Sequence, residues 1–455
     1  MQYNVESLSS AVSSIPSEDS LSVLDNRTGR MYTIPVERNA VSAIDFAQIK
    51  GSTFGADPVD RVDAGLRVFD PGFLNTAVVE SSMTFVDGKQ GTIHYREHSL
   101  DNLVRDNDWE DVVYMLNWGS LPTSDEKKQF RRALADAMPP PQAVVNVITA
   151  FPRDALNSSL IQAGLSAYAS CDEGSRKLHG SVRPQYLGNM PRVDAAIVRS
   201  LSALATTIAL TYCHKRGKSF TSPDPHSSFI GNVLLMMGFS QNGKPDPKVE
   251  RCFEKLWVLY ADHEMTNSTA AFLHASSTLT DPISALTSAI VSAYGPLHGA
   301  AIDMAYHGFE QMGSPAGVPA FIEGVKAGRY RLFGYGHRIY KTVDPRAKWI
   351  RAMISEHQEL VYSNKMLQIA MEVDRIASSD EYFTSRKLKA NADLYGCFLY
   401  TAMGFETDII VAMASLSRAG GVLAHWREAM HEKSCLWRPM QIFTGSISGA
   451  QGAKL

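Results

Sequence analysis

The chain has 455 residues, 45% of them hydrophobic and 9% aromatic, enough for a large core and more length than one average domain needs. Its 44 Lys and Arg against 47 Asp and Glu leave a net charge of −3 with no long basic block, which argues against nucleic acid or an anionic membrane surface as the main partner. Cys171, Cys213, Cys252, Cys397 and Cys435 lie far apart with no CxxC pair, so neither a disulfide framework nor a zinc site is indicated, and a reducing compartment fits.

The first twenty residues are serine-rich, lack Lys and Arg, and carry Glu6, Glu18 and Asp19. That is neither a mitochondrial presequence nor a secretory signal, so 1–20 is expected to be a disordered tail. Residues 21–46 read as a hairpin, with apolar residues bracketing the turn DNRTG. From about 100 to 290 the apolar spacing is helical, broken at Gly119 and Pro122, with Ser124 as the expected N-cap of the helix that follows. LSALATTIALTY (201–212) is the nearest approach to a membrane span, falls short of the ~18–20 apolar residues one needs, and reads as a buried helix. Gly and Pro thicken from 295 to 345, and helical patterning resumes at RAKWIRAMISEH and runs to about 430. Alternating Val/Ile strands are scarce after residue 100, so the fold class is mainly α. The chain closes on Ala453-Lys454-Leu455, a near variant of the Ser-Lys-Leu address, which points to the peroxisome or, failing that, the cytoplasm.

Three bends each carry an imidazole: His263 in YADHEMTNST, His298 in GPLHGAA and His337 in GYGHRIYKTVDPRAK. Asp393 lies in KANADLYG, and Arg346, Arg418 and Arg438 supply cations. Guanidinium forks bind carboxylates at two points, so several of them suit a dicarboxylate. Imidazoles can donate to carbonyl or enolate oxygens, and a carboxylate can remove a carbon-bound proton. Such a set can enolise one carbonyl compound and join it to another without a metal, and DHE has no second His at the zinc-protease spacing. Each residue also has a bland reading. Arg418 on a helix is usually a surface cation, Arg438 before Pro439 a turn residue, Lys341 a solvated lysine, and Asp393 the cap of a helix beginning at Leu394. His94, His179, His214 and His425 are read as structural or surface groups.

These blocks, in this order, resemble the citrate synthase family of the bacterial and fungal-paralogue type: DNRTG, DPGFLNTA, LNWGSLPT, ADHEMTNST, GPLHG, GYGHRIYKTVDPRAK, NADLY, RAGGVLAHW and Arg438-Pro439. The resemblance implies a two-domain helical homodimer with a short N-terminal β-hairpin. Residues 21–299 and 396–455 would form the large domain and 300–395 a small mobile one. It also implies that Asp393 takes a proton from the α-carbon of an acyl-CoA, that His298 stabilises the enolate, and that His337 polarises the ketone of oxaloacetate. His263, Arg346 and Arg418 would hold oxaloacetate, with Arg438 reaching in from a partner subunit. Tyr335, Gly336 and Lys341 would meet coenzyme A, which enters as acyl-CoA co-substrate rather than as a tightly bound cofactor. No metal is expected, and no nucleic acid or membrane partner.

Departures from the family pattern cluster at small and apolar neighbours. Ile302 stands where Asn is expected, Leu394 where an aromatic is common, and Tyr95-Arg96-Glu97 where Tyr-Arg-Gly is usual. They suggest an acyl pocket reshaped for a chain longer than acetyl, as in 2-methylcitrate or longer alkylcitrate synthases of secondary metabolism. The C-terminal tripeptide suits ordinary citrate formation from acetyl-CoA, and the two readings stand equal. The rival from another class is a catalytically silent member that binds only a dicarboxylate, and a citryl-CoA lyase would need a companion activating domain. Retention of every polar position argues for a working enzyme.

Overall fold

The computed structural model describes residues 19–50, 65–179, 183–431, 435–442 and 444. Most of the proposed 1–20 tail and the whole C-terminal tripeptide lie outside these residues. The chain divides into two compact units, Met1–Glu80 with Arg438–Leu455, and Ser81–Trp437.

In the smaller unit Ser20–Asp25 and Arg30–Pro35 pair antiparallel, with Asp25 opposite Arg30. The DNRTG turn closes as its composition dictates: the Asp25 carboxylate accepts from the Arg27 amide at 3.0 Å and Gly29 takes φ +70°. The DPGFLNTA block forms a second tight turn. There Asp70 accepts from the Leu74 and Asn75 amides (2.9 and 3.0 Å) and from Thr76 Oγ1 (2.8 Å).

The larger unit opens with a three-stranded antiparallel sheet, Thr84–Asp87, Thr92–Tyr95 and His98–Ser99. Helices follow, and among the described residues only the two-residue pair Ser240–Gln241 and Lys244–Pro245 adds strand after residue 100. The expected mainly α fold is what forms. Ile410–His431 is mostly buried, its middle rich in Ala, Gly, Val and Leu, and it packs on Met190–Arg216, Trp109–Trp118 and Pro247–Tyr260. Met190–Arg216 contains the 201–212 segment, which is a core helix as expected. That helix and Thr407–His431 are long and apolar enough to cross a membrane, but the apolar stretches are 78% and 83% buried inside the unit.

Capping chemistry sets many helix starts. Asp246, Asp281 and Asp344 each precede a proline at the first helical position, joining an acceptor side chain to a preset φ. The expectation for Ser124 needs correcting by one residue. Ser124 is the first helical residue, and Thr123 is the cap, in a reciprocal box with Glu126. Gly119 ends the preceding helix at φ +100°, as its position suggested.

Candidate active site

The GYGHR bend is built from two glycines in the left-handed region, Gly334 at φ +83° and Gly336 at φ +85°. A Cβ on Gly334 would lie 3.0 Å from Leu394 Cα, so the bend also needs glycine for close approach. Backbone bonds then zip the bend to the Asp393 segment. Gly336 N donates to Lys389 O (2.7 Å), Asn391 N to Gly334 O (3.0 Å), and Asn391 Nδ2 to Gly336 O (2.9 Å). Asp393 is the first residue of Asp393–Ala402 and is not its cap; its own amide donates to Asn391 Oδ1 at 2.9 Å. His337 and Asp393, far apart in sequence, thus share one backbone framework.

Backbone amide donors assign His337 and His298 their tautomers. His337 Nδ1 accepts from the Ile339 and Tyr340 amides at 3.1 and 3.4 Å, so the ring proton resides on Nε2. His298 Nε2 accepts from the Ser268 amide at 3.2 Å and lies 2.8 Å from Ser268 Oγ, so its proton resides on Nδ1. His263 is buried; its Nε2 meets Tyr340 Oη at 2.8 Å and its ring centre lies 5.5 Å from that of His337.

Arg346 is anchored from its own helix start. Its Nε and Nη2 donate to the Asp344 carboxylate at 3.0 and 2.7 Å, which leaves Nη1 without a protein acceptor among the described residues. Asp344 also accepts from the Ala392 amide at 3.2 Å, linking the arginine to the residue before Asp393. Arg418 donates Nε to Tyr260 O at 2.5 Å, and Arg346 sits over the Tyr260 ring at 5.4 Å. Far from being a surface cation, Arg418 lies deep in the unit yet stays partly accessible, as do Asp393, His298 and His337.

The electrostatics follow from this setting. Burial, then Arg418, pushes His298 down to about 4; burial, then Arg346, does the same for His337. Burial and both arginines hold His263 well below the usual imidazole range. Burial raises the Asp393 carboxyl to about 6 even though Arg346 and Arg418 oppose it. At neutral pH the cluster therefore contains neutral imidazole donors, guanidinium charge and a carboxylate of moderate basicity.

Six of the ten expected site residues come together here: His263, His298, His337, Arg346, Asp393 and Arg418. Tyr335 and Gly336 are in the bend itself, but Tyr335 Oη is bonded to Asp374 Oδ1 at 2.6 Å. Lys341 is exposed, its Nζ 3.5 Å from Arg338 O. Arg438 is exposed and belongs to the smaller unit. A cavity of about 530 Å³ is walled by Tyr335, Tyr395, Arg351, Arg375 and Lys389 among others, and by none of those six.

The residue-type reading passed over the groups that hold these side chains. Tyr260, with a buried hydroxyl lacking a partner among the described residues, faces Asp393 and Arg346. Behind His263, Asp262 pairs with His425 at 3.2 Å, both buried, so His425 is a structural group rather than a surface one. Burial works against both charges, but the pair lowers the Asp262 carboxyl and raises the His425 imidazole. Asp344, within DPR beside Arg346, gave the one usable sequence signal.

Comparison with known proteins shows the family and the fold. Residues 72–440 match the family model described as citrate synthase, C-terminal domain. The citrate synthase-like protein oryE of Aspergillus oryzae is 44% identical over 95% of this chain and 97% of its own length. The alkylcitrate synthase phiJ of a fungal species is 37% identical over 93% of each. Further relatives include a glyoxysomal citrate synthase of Cucurbita maxima (34% identical) and a peroxisomal one of Arabidopsis thaliana (33%). Among solved structures, citrate synthase from Thermoplasma acidophilum in ternary complex with carboxymethyl coenzyme A and oxaloacetate superposes with TM-score 0.75 at 26% identity. That match covers 82% of this chain and 95% of the archaeal one.

Proposed function

The chain belongs to the citrate synthase family, and on that premise we propose that it condenses the α-carbon of an acyl-CoA with the ketone of oxaloacetate and then hydrolyses the thioester. The observation that carries this reading is the pairing of tautomer-fixed neutral imidazoles with a carboxylate at about 6 between two arginines.

Asp393 takes the α-proton of the thioester, and the enolate oxygen receives a hydrogen bond from His298 Nδ1–H. The carbon nucleophile forms its bond to the oxaloacetate ketone while His337 Nε2–H hydrogen-bonds the oxygen, whose π pair becomes an alkoxide. The alkoxide takes up one proton to become a hydroxyl, and Asp393 gives up the α-proton it removed, so the condensation is proton-neutral. Water cleaves the resulting thioester, giving the tertiary alcohol acid and free CoA. Arg346 Nη1, Arg418 and His263 hold the dicarboxylate. Orientation of two bound substrates can supply roughly 7–11 kcal/mol of such a barrier, and oxyanion donors about 3–4 kcal/mol each. Neutral imidazoles suit the task, since they donate without carrying charge that would compete with the arginines for the substrate carboxylates.

Tyr335, Gly336 and Lys341 are proposed as the coenzyme A contacts, residues 300–395 as the mobile domain, and a homodimer as the assembly in which Arg438 completes the neighbouring site. Peroxisomal import through Ala453-Lys454-Leu455 is proposed on the strength of the peroxisomal and glyoxysomal relatives.

For the acyl group we favour a chain longer than acetyl. Leu394 is fully buried against Gly334 beside the proposed base, and Ile302 approaches Gly396 one turn further on, so both departures from the family pattern are apolar and lie next to Asp393 or its helix. The 37% identity to an alkylcitrate synthase supports the same reading. The test is CoA release, followed with a thiol reagent, for acetyl- through decanoyl-CoA with oxaloacetate. A wide preference for acetyl-CoA would make the chain an ordinary citrate synthase, and no release with any thioester would leave the silent dicarboxylate binder.

A further inference from the structure

Beside the bend, one carboxylate collects three partners from three different segments. Asp374, on the helix Lys365–Ala377, accepts Tyr335 Oη–H on Oδ1 at 2.6 Å and Tyr395 Oη–H on Oδ2 at 2.8 Å, and it also pairs with Arg351 Nη2. Arg351 in turn lies over the Tyr395 ring at 5.1 Å. Each partner stands close in sequence to a proposed working residue. Tyr335 is two residues before His337, Tyr395 two after Asp393, and Arg351 is on the helix Pro345–Glu356 that Arg346 opens.

We infer that Asp374 is a positioning residue, a clamp that fixes the mutual placement of His337, Asp393 and Arg346 by holding Tyr335, Tyr395 and Arg351 at one point. It touches no reacting atom. Its carboxylate forms part of the wall of the 530 Å³ cavity, which none of the six clustered residues lines, and keeps 18% exposure of its side chain. The hydrogen bonds between the bend and the Asp393 segment run along the backbone and through the Asn391 side chain, and Asp344 joins the Ala392 amide to Arg346. The Asp374 contacts add a side-chain tether that reaches Tyr335, Tyr395 and Arg351 together. A carboxylate is suited to this because its two oxygens accept from two hydroxyls and a guanidinium at once and its charge pairs with the guanidinium, whereas an amide has one acceptor oxygen, no charge, and an NH2 that makes Tyr335 turn its hydroxyl from donor to acceptor.

The inference rests on the proposed condensation, and its test separates the two. CoA release is measured for the full chain, then for D374N, D374A, Y335F, Y395F and the triple variant D374N/Y335F/Y395F, with melting temperature and oxaloacetate KM recorded for each. E372Q, on the same helix and paired among the described residues with Arg375, is the control expected to leave the rate unchanged. D374N is expected to lower kcat about 10- to 100-fold, the loss typical of displacing catalytic groups by a fraction of an ångström to an ångström. KM should stay within about threefold, and the triple variant should fall little further than D374N because the three act as one unit. The acid limb of the kcat profile should also shift, since Asp393 would no longer keep its distance from Arg346. An active parent with D374N at full kcat overturns the clamp alone. A loss that follows the melting temperature while the pH profile stays fixed makes Asp374 merely structural and overturns it too. A parent that releases no CoA overturns both the clamp and the condensation.

Discussion

Replacing Asp344 with Asn perturbs one atom type in a side chain that has no exposed surface and whose partner, Arg346, is only 8% exposed. In the native pair Oδ1 accepts from the Arg346 amide and Nε, both at 3.0 Å, while Oδ2 accepts from Arg346 Nη2 at 2.7 Å and the Ala392 amide at 3.2 Å. An asparagine keeps one acceptor and turns an NH2 toward two donors, so two bonds are lost and the guanidinium stays buried without its counter-charge. Breaking one side of such a pair costs about 3–5 kcal/mol, more than its favourable contribution to the intact fold, because the surviving charge is left desolvated. Urea unfolding at pH 7 of the parent, D344N, R346M and the double variant measures this. The double variant is expected to be less destabilised than the sum of the singles by at least about 1 kcal/mol, since no charge is then left alone.

The pH dependence has a definite sign. Burial raises the Asp344 carboxyl, but Arg346 outweighs burial and holds it below the ordinary carboxylate value. Its stabilisation is thus fully present above the unfolded pKa and is lost as pH falls through the folded one. The gap between parent and D344N should be constant from pH 5 to 8 and close only below about pH 4. A D344N chain within about 1 kcal/mol of the parent at pH 7, or a gap undiminished at the lowest pH where the parent still folds, would refute the description of Asp344 and Arg346 as a buried charge pair.

Asp393→Asn should lower CoA release by about 10²–10⁴-fold while oxaloacetate still binds by calorimetry. In the parent, kcat should fall on the acid side around pH 6 with a slope of one, because Asp393 at about 6 must be deprotonated while His298 and His337 at about 4 remain neutral; a limb centred near 4 would contradict this. Leu394→Phe should move the acyl-CoA preference toward acetyl in a competition of chain lengths, with about 1–3 kcal/mol lost to overpacking against Gly334; an unmoved preference in a folded variant would remove Leu394 from the acyl pocket.

Much of the site was legible because its chemistry needs particular residue types beside particular bends. The glycines at 334 and 336 announce a turn whose backbone angles other residues avoid, and the imidazole that follows has little reason to be there unless it is presented to something. Asp-Pro at 344–345 announces a helix start, and with it the position of Arg346 at the head of that helix. The DNRTG hairpin was readable for the same reason, as local chemistry closing a local turn. Thr123 was passed over for Ser124 because both residues can cap, and only the reciprocal bond from Glu126 chooses between them.

What the residue order alone determined was which groups could act: the three histidines, the aspartate, the arginines, and a mainly helical chain to carry them. What only the tertiary structure decided was their states and supports. The tautomer of His337 depends on two backbone amides that happen to point at Nδ1. The basicity of Asp393 depends on how deeply the chain folds around it. Tyr335, Arg351 and Tyr395 meet at Asp374 only once three segments are packed together. Burial, hydrogen-bond direction and charge separation are distances in space, and between residues such as 260, 346 and 393 only the packed fold sets them.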